Sequence, residues 1–193
     1  MNKNNKITIS FTGHRPNKLY GYNYNSDGNK KIIFSIYKKL KELIENYDEI
    51  HFIEGGALGI DQMSFIICNK LKKDYPNKNI SIEVAVPFES QDNNWIDSSK
   101  QLYRNQLRLA DTVTQVDTLD EYMINGYTVG KYYPAKMQKR NMYMVDNSDI
   151  VLSVWDGSKG GTGNCVSYAM NRGKKIINLN PKTFKWNEIK LGK

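Results

Sequence analysis

Apolar residues along this chain follow two alternating patterns. Short β-branched runs, Ile7–Phe11, Ile50–Ile53 and Ile82–Val86, stop at Thr12-Gly13, at Glu54-Gly55-Gly56 and at Pro87. Runs of this length closed by turn-forming residues predict short buried strands. Between them the spacing changes: Ile33, Ile36, Tyr37, Leu40, Leu43 and Ile44 recur at three- and four-residue steps, and Ile60, Met63, Ile67 and Leu71 do the same. That period predicts amphipathic helices. The pattern continues with a helix over Ser99–Ala110, a strand over Thr112–Val116, a helix over Ala135–Asp146 and a strand over Ile150–Trp155. A helix starting near Thr162, with Val166, Ala169 and Met170 on its apolar side and Gly173 as its cap, leads to a last strand over Lys175–Leu179. The whole reads as a β–α unit repeated six times.

Such alternation predicts an α/β fold: a mainly parallel sheet with helices on both faces, a Rossmann-like three-layer arrangement joined by right-handed connections. Ligands of such sheets bind beyond the carboxyl ends of the strands. Polar residues and glycines collect there: Thr12-Gly13-His14-Arg15, Glu54-Gly55-Gly56, Phe88-Glu89, and Asp156 to Asn164. With 193 residues and no linker-like stretch, the chain is expected to form one domain over 1–193. A segment over about 117–134, with Tyr122, Tyr127, Tyr132 and Tyr133, is too long for an ordinary connection. It reads as an insert, either a lid whose tyrosines stack on a base or a subunit contact.

The net charge of +8 suits an anionic partner without choosing among nucleotide, polynucleotide and membrane surface. Many lysines read as solvated helix faces, and lysines and tyrosines look scattered rather than interleaved along one element. The two cysteines, Cys68 and Cys165, fall in predicted helices without metal-type spacing to His14 or His51, so neither a metal site nor a disulfide framework is expected. A reducing cytoplasm fits that usage. The polar opening MNKNNKITISF and the lack of a long apolar run predict no membrane association.

The strongest site candidate is Lys159-Gly160-Gly161-Thr162-Gly163-Asn164, following a strand that ends at Asp156-Gly157. Three close glycines let the backbone approach a ligand, and free N–H groups at the next helix start favour an anion. A tight strand-to-helix connection with Thr162 or Asn164 as N-cap is the plainer reading, and both can hold. Neither GxxxxGK[ST] nor GxGxxG is present, so ordinary ATP or NAD binding is disfavoured and no cofactor is expected. Arg140 lies between Met137 and Met144 and offers its fork to phosphate or, alternatively, to a salt bridge with Asp146 or Asp149. Asp61 is placed to accept from ribose hydroxyls beside Gly55 and Gly56, or simply to favour its helix dipole. Glu54, a carboxylate ending an apolar strand, must face the crevice or be paired, and is the candidate acid, base or ribose ligand. On the Pro16-stiffened loop, Thr12, Gly13, His14 and Arg15 form a further phosphate-binding group.

The segments SFTGHRP, GGALGID, VPFESQ and KRNMYMVDNSDIVLSVWDGSKGGTGN together resemble the YpsA-like (GHRP-motif) branch of the SLOG superfamily, from Ile7 to Leu179. That superfamily also holds the DNA-processing DprA proteins and the Lonely guy enzymes. The resemblance implies a Rossmann-like domain that binds nucleotides or nucleotide-derived ligands, and a homodimer by analogy with Lonely guy proteins. Lonely guy enzymes release a base from its ribose 5′-monophosphate with a helix Arg and a PGGxGTxxE turn. Arg140 matches the Arg, and Gly160, Gly161 and Gly163 match the turn, but Asn164 stands at the Thr position and Ser167 at the catalytic Glu position. A hydroxyl does not supply the carboxylate that an oxocarbenium-like transition state needs. The leading expectation is therefore a sensor or sequestering protein for a nucleotide, ADP-ribose-like or signalling-nucleotide ligand. A base–ribose N-glycosidase using Glu54 is the alternative, and single-stranded DNA binding, suggested by DprA kinship and charge, is the third.

Overall fold

The computed structural model describes residues 5–190. Strands β1 (Lys6–Gly13), β2 (Glu49–Glu54), β3 (Asn79–Val86), β4 (Thr112–Gln115), β5 (Ile150–Val154), β6 (Lys175–Leu179) and β7 (Trp186–Ile189) form one sheet in the order β4-β3-β2-β1-β5-β6-β7. All neighbours run parallel except β7, which is antiparallel to β6. The helices are α1 (Asp27–Ile44), α2 (Ile60–Asp74), α3 (Asp97–Leu109), α4 (Pro134–Asp146) and α5 (Gly161–Asn171). The predicted α/β, Rossmann-like fold is thus what the chain adopts. Two details differ from the sixfold repeat: β6 is followed by a turn rather than a helix, and the chain folds back through Phe184, at φ 56, to add β7.

Strand residues alternate between the two layers because the side-chain period is two. Ile7, Ile9 and Phe11 of β1, Ile50 and Phe52 of β2, and Ile150, Leu152 and Val154 of β5 meet the buried stripe Ile32, Ile36, Leu40 and Ile44 of α1 and the apolar side of α2. Val151 and Ile176 turn the other way, onto Val145 of α4 and Cys165, Val166 and Ala169 of α5. Helices α1 and α2 therefore cover one face and α4 and α5 the other.

The insert between β4 and α4 is tied down from within. Lys136 Nζ, on α4, donates to Asp117 Oδ2 at 2.7 Å and to the carbonyls of Thr128 and Lys131 at 2.7 and 2.9 Å. Asp117 also accepts from the Gly130 N–H at 2.8 Å and from Gln115 Nε2 at 2.8 Å. Tyr122 is buried against Tyr143, and Tyr127 stacks on Tyr133 with ring centroids 3.6 Å apart. These rings pack on each other and on α4, and none lines the cavity described next.

Candidate functional site

Strands β1 and β5 are neighbours, yet α1 leaves β1 toward one face and α5 leaves β5 toward the other. Connections that diverge in this way open a crevice at the carboxyl ends of the two strands. A cavity of about 290 Å³ occupies it, lined by Thr12, Gly13, His14 and Arg15 after β1, by Ala57 and Asp61 before and in α2, by Met137, Arg140 and Asn141 of α4, and by Ser158 to Thr162 after β5. Asn17 and Lys18 complete the wall.

The floor is made by the start of α5. Its N-cap is Gly160, so neither Thr162 nor Asn164 caps the helix, and there is no side-chain cap bond among the described residues. The amides of the first turn have no intrahelical acceptor. Gly160, Gly161 and Thr162 line the cavity, and an added Cβ at Gly161 would meet nothing within 4 Å, so the start of α5 is open there. Gly163 points elsewhere, against Trp155 and the Ser158 carbonyl, and Asn164 and Ser167 are exposed away from the cavity. Of the three turn glycines, two meet the cavity and one packs.

Arg140 is buried, only 4% exposed, and its Nη1 donates to Asp61 Oδ2 at 3.1 Å. The same oxygen accepts from the Ala57 N–H at 3.3 Å. The partners suggested by sequence position, Asp146 and Asp149, are engaged elsewhere: Asp146 by Tyr122, Tyr168 and Arg172, and Asp149 by the Thr8 N–H. Arg140 can seat itself because Gly55 has no side chain, since a Cβ there would lie 1.2 Å from Nη1. Its Nε is buried without a partner among the described residues. Gly59, at φ +95, lets the start of α2 close on the His14 carbonyl, which accepts from the Ile60 N–H at 3.3 Å. The TGHRP and GGALGID segments are thereby clasped together.

His14 Nε2 lies 2.8 Å from Asp156 Oδ1, and Lys182 Nζ lies 2.7 Å from Asp156 Oδ2. Hydrogen bonds from Lys182 and then Ser158 hold the Asp156 carboxyl far below its usual range. Burial lowers the His14 pKa despite its acidic partner. The Asp156 backbone N–H also lies 3.2 Å from Nε2, so this ring nitrogen meets both a carboxylate acceptor and an amide donor, and either neutral tautomer finds a partner there. Asp156 itself braces the wall from behind and does not line the cavity. Lys18, which its position in the sequence marks only as another lysine, is brought across by the 3-10 turn Pro16–Lys18. Its Nζ donates to Ser158 Oγ at 2.9 Å and to the Lys159 carbonyl at 3.1 Å, joining the loops after β1 and β5.

Glu54 is fully buried and absent from the cavity wall. Its Oε2 accepts from the Gly56 N–H at 2.8 Å, and Oε1 has no partner among the described residues. Burial, reinforced by the nearby charge of Asp61, pushes its carboxyl well above the usual 4.5, which favours the protonated acid. Tyr103 and Gln91 surround Gly56, so Gly55 and Gly56 form the turn that separates Glu54 from the crevice. Among the described residues no cluster of His, Cys, Asp and Glu suits a metal ion, and no helix is long and apolar enough to cross a membrane.

A model of the YspA SLOG family matches residues 9–184. The chain belongs to that family. It is 43% identical over 145 residues, 74% of its length and 83% of the relative's, to the uncharacterized SPbeta prophage-derived protein YoqJ of Bacillus subtilis. It is 29% identical over 167 residues, 86% of its length and 80% of the relative's, to a UPF0398 protein of Halalkalibacterium halodurans. Among solved structures this SLOG protein resembles DNA processing protein A of Streptococcus pneumoniae, with a TM-score of 0.58 and 13% identity over 90% of this chain. It spans 50% of that protein, and 66% of the Helicobacter pylori counterpart, which it matches with a TM-score of 0.54 and 17% identity over 91% of its own length. The latter was described for its single-stranded DNA binding mode. Likeness at these identities establishes the shared fold.

Proposed function

We propose that this SLOG protein binds a nucleotide or nucleotide-derived ligand, ADP-ribose-like or a signalling nucleotide, by a phosphate group in the crevice between β1 and β5, and acts as a sensor or sequestering protein. The observation that carries this reading is the meeting of uncapped α5 amides and the Arg140 guanidinium in one cavity. A helix N-terminus favours an anion by about 0.3–1 kcal/mol at exposed sites. A hydrogen bond to a charged group adds about 1.5–3 kcal/mol. Phosphate is the group that uses both. Asp61 lines the same wall, with Oδ1 free of hydrogen bonds from the described residues, and is the acceptor for a ribose hydroxyl. Arg15 and His14 face the remainder of the ligand.

Hydrolysis of the base–ribose bond has less support, because Glu54 is sealed under the Gly55-Gly56 turn and Ser167 stands outside the cavity. Calorimetry with nucleoside mono- and diphosphates, ADP-ribose and cyclic dinucleotides tests the proposal. At least one is expected to bind, with affinity lost in Arg140→Ala. Absence of heat with every compound at millimolar concentration overturns it. Free base released from any of them, followed by chromatography, replaces sequestration with catalysis.

A further inference from the structure

The outward side of α1 lies away from the cavity and carries a surface that the sequence does not make visible. Lys31, Phe34, Lys38 and Lys41 follow one another at steps of three and four, opposite the buried stripe of the helix. Phe34 is 62% exposed, and Lys38 Nζ stands 5.6 Å from its ring centroid. On one flank Lys41 reaches the rings of Tyr37 and Tyr75, at 6.0 and 5.9 Å, and Lys70 reaches Tyr37 at 5.5 Å. On the other flank Lys31 stands 5.9 Å from Phe184, and Lys39 stands 5.8 Å from Trp186. Every cation–π pair found among the described residues falls on this one surface. Lysines that look scattered along the chain are gathered because α1, the end of α2 and the turn into β7 are adjacent in the fold.

The charges are only partly cancelled. Lys39 pairs with Glu42 and Lys70 with Asp74, while Lys31, Lys38 and Lys41 form no ion pair with the described carboxylates. We infer that this face binds single-stranded nucleic acid. Unpaired lysines at successive helical turns match a chain of phosphates, and an exposed ring between them offers a stacking surface to an unpaired base. A duplex hides its base faces and leaves Phe34 without a role. A membrane surface fits less well, because the apolar residues that an interfacial helix would insert, Ile32, Ile36, Leu40 and Ile44, are fully buried against the sheet. At about 27 Å, from 1.5 Å per residue, the helix is long enough for several nucleotides.

Fluorescence anisotropy of labelled (dT)20 with the full chain tests this. Three to five phosphate contacts predict a slope of log K against log salt of roughly −2 to −3.5, a loss of about 15- to 130-fold between 50 and 200 mM salt. Phe34→Ala is expected to weaken binding by roughly 5- to 160-fold. The triple variant Lys31→Ala/Lys38→Ala/Lys41→Ala is expected to flatten the slope by about 2. Each side chain is exposed, and circular dichroism of the variants confirms that the fold is kept. No binding of (dT)20 at 50 mM salt overturns the inference. So does binding that ignores both variants but is lost in Lys18→Ala, which would route the strand through the crevice. Binding of phosphatidylserine vesicles without binding of (dT)20 overturns it in favour of a membrane. Failure of the nucleotide titrations above leaves these outcomes unchanged, because no residue is shared.

Discussion

Gly55→Ala isolates the seat of Arg140. Gly55 does not sit in the left-handed region, so alanine meets no backbone strain there and the effect is steric. The new Cβ would lie 1.2 Å from Arg140 Nη1, 2.2 Å from Cζ and 2.6 Å from Asp61 Oδ2. No small shift relieves that overlap, so the guanidinium must leave and its 3.1 Å bond to Asp61 must break. Both partners are nearly sealed, with side chains 5% and 10% exposed. Breaking a buried pair costs about 3–5 kcal/mol. Replacing glycine by alanine recovers only about 0.4–1 kcal/mol from the unfolded chain. The expected net loss is about 2–4 kcal/mol, toward the lower end if the freed guanidinium swings into the cavity and is solvated there. Urea unfolding of the wild type, Gly55→Ala, Asp61→Asn and the double variant measures it. With Asp61 already neutral, alanine should cost less, giving a coupling of about 1–3 kcal/mol. A Gly55→Ala protein within 0.5 kcal/mol of wild type, or strict additivity with Asp61→Asn, would refute the reasoning.

Three further outcomes follow from the same geometry. Because the folded-state pKa of Glu54 is raised above 4.5, the wild type loses stability as pH rises from that value through the folded pKa. Glu54→Gln should therefore match or exceed wild-type stability at pH 7, by a margin that grows from pH 5, and a less stable variant would contradict a protonated Glu54. His14 has the opposite sign for its charge type: its folded pKa lies below 6.5, so its contribution is present above 6.5 and fades as pH falls toward the folded value. Unfolding midpoints at pH 7.5, 6.5 and 5.5 should fall less in His14→Asn than in the wild type. Lys136→Met leaves Asp117, only 2% exposed at its side chain, without its cation, and should cost about 3–5 kcal/mol and open residues 119–133 to limited proteolysis. An insert equally resistant in both proteins would show that the pair does not hold it.

The layered fold is legible in the sequence because parallel strands buried on both faces leave near-continuous apolar runs and their helices leave a clean three- and four-residue spacing. β7 escapes the same reading, since Trp186-Asn187-Glu188-Ile189 is a half-exposed edge strand whose pairing depends on a turn at Phe184. The turn glycines and Arg140 announce themselves by residue type. What they touch does not: Arg140 and Asp61 are 79 positions apart and meet only through the crossing of the chain to the far side of β1. Lys18 is equally silent, because its reach to Ser158 is set by a short 3-10 turn rather than by any periodic pattern. The insert is visible from its length, whereas the Asp117–Lys136 lock that organises it is a tertiary contact.

The acids at the strand ends bear most directly on what the crevice does. Glycosidic bond cleavage needs a carboxylate that faces the sugar and is free to stabilise or protonate it. Glu54 is hidden and favours its neutral form, and Asp156 is bound by Lys182, Ser158 and His14 outside the cavity. Asp61 is the acid on the cavity wall, and its charge is met by Arg140 at 3.1 Å. Against these stand Arg140, Arg15, Lys18, Lys159 and the uncapped amides of α5, all on the same wall. The local field is therefore positive, and negative charge is compensated before a ligand arrives. Such a balance supports the proposed binding of an anion over hydrolysis of a base–ribose bond.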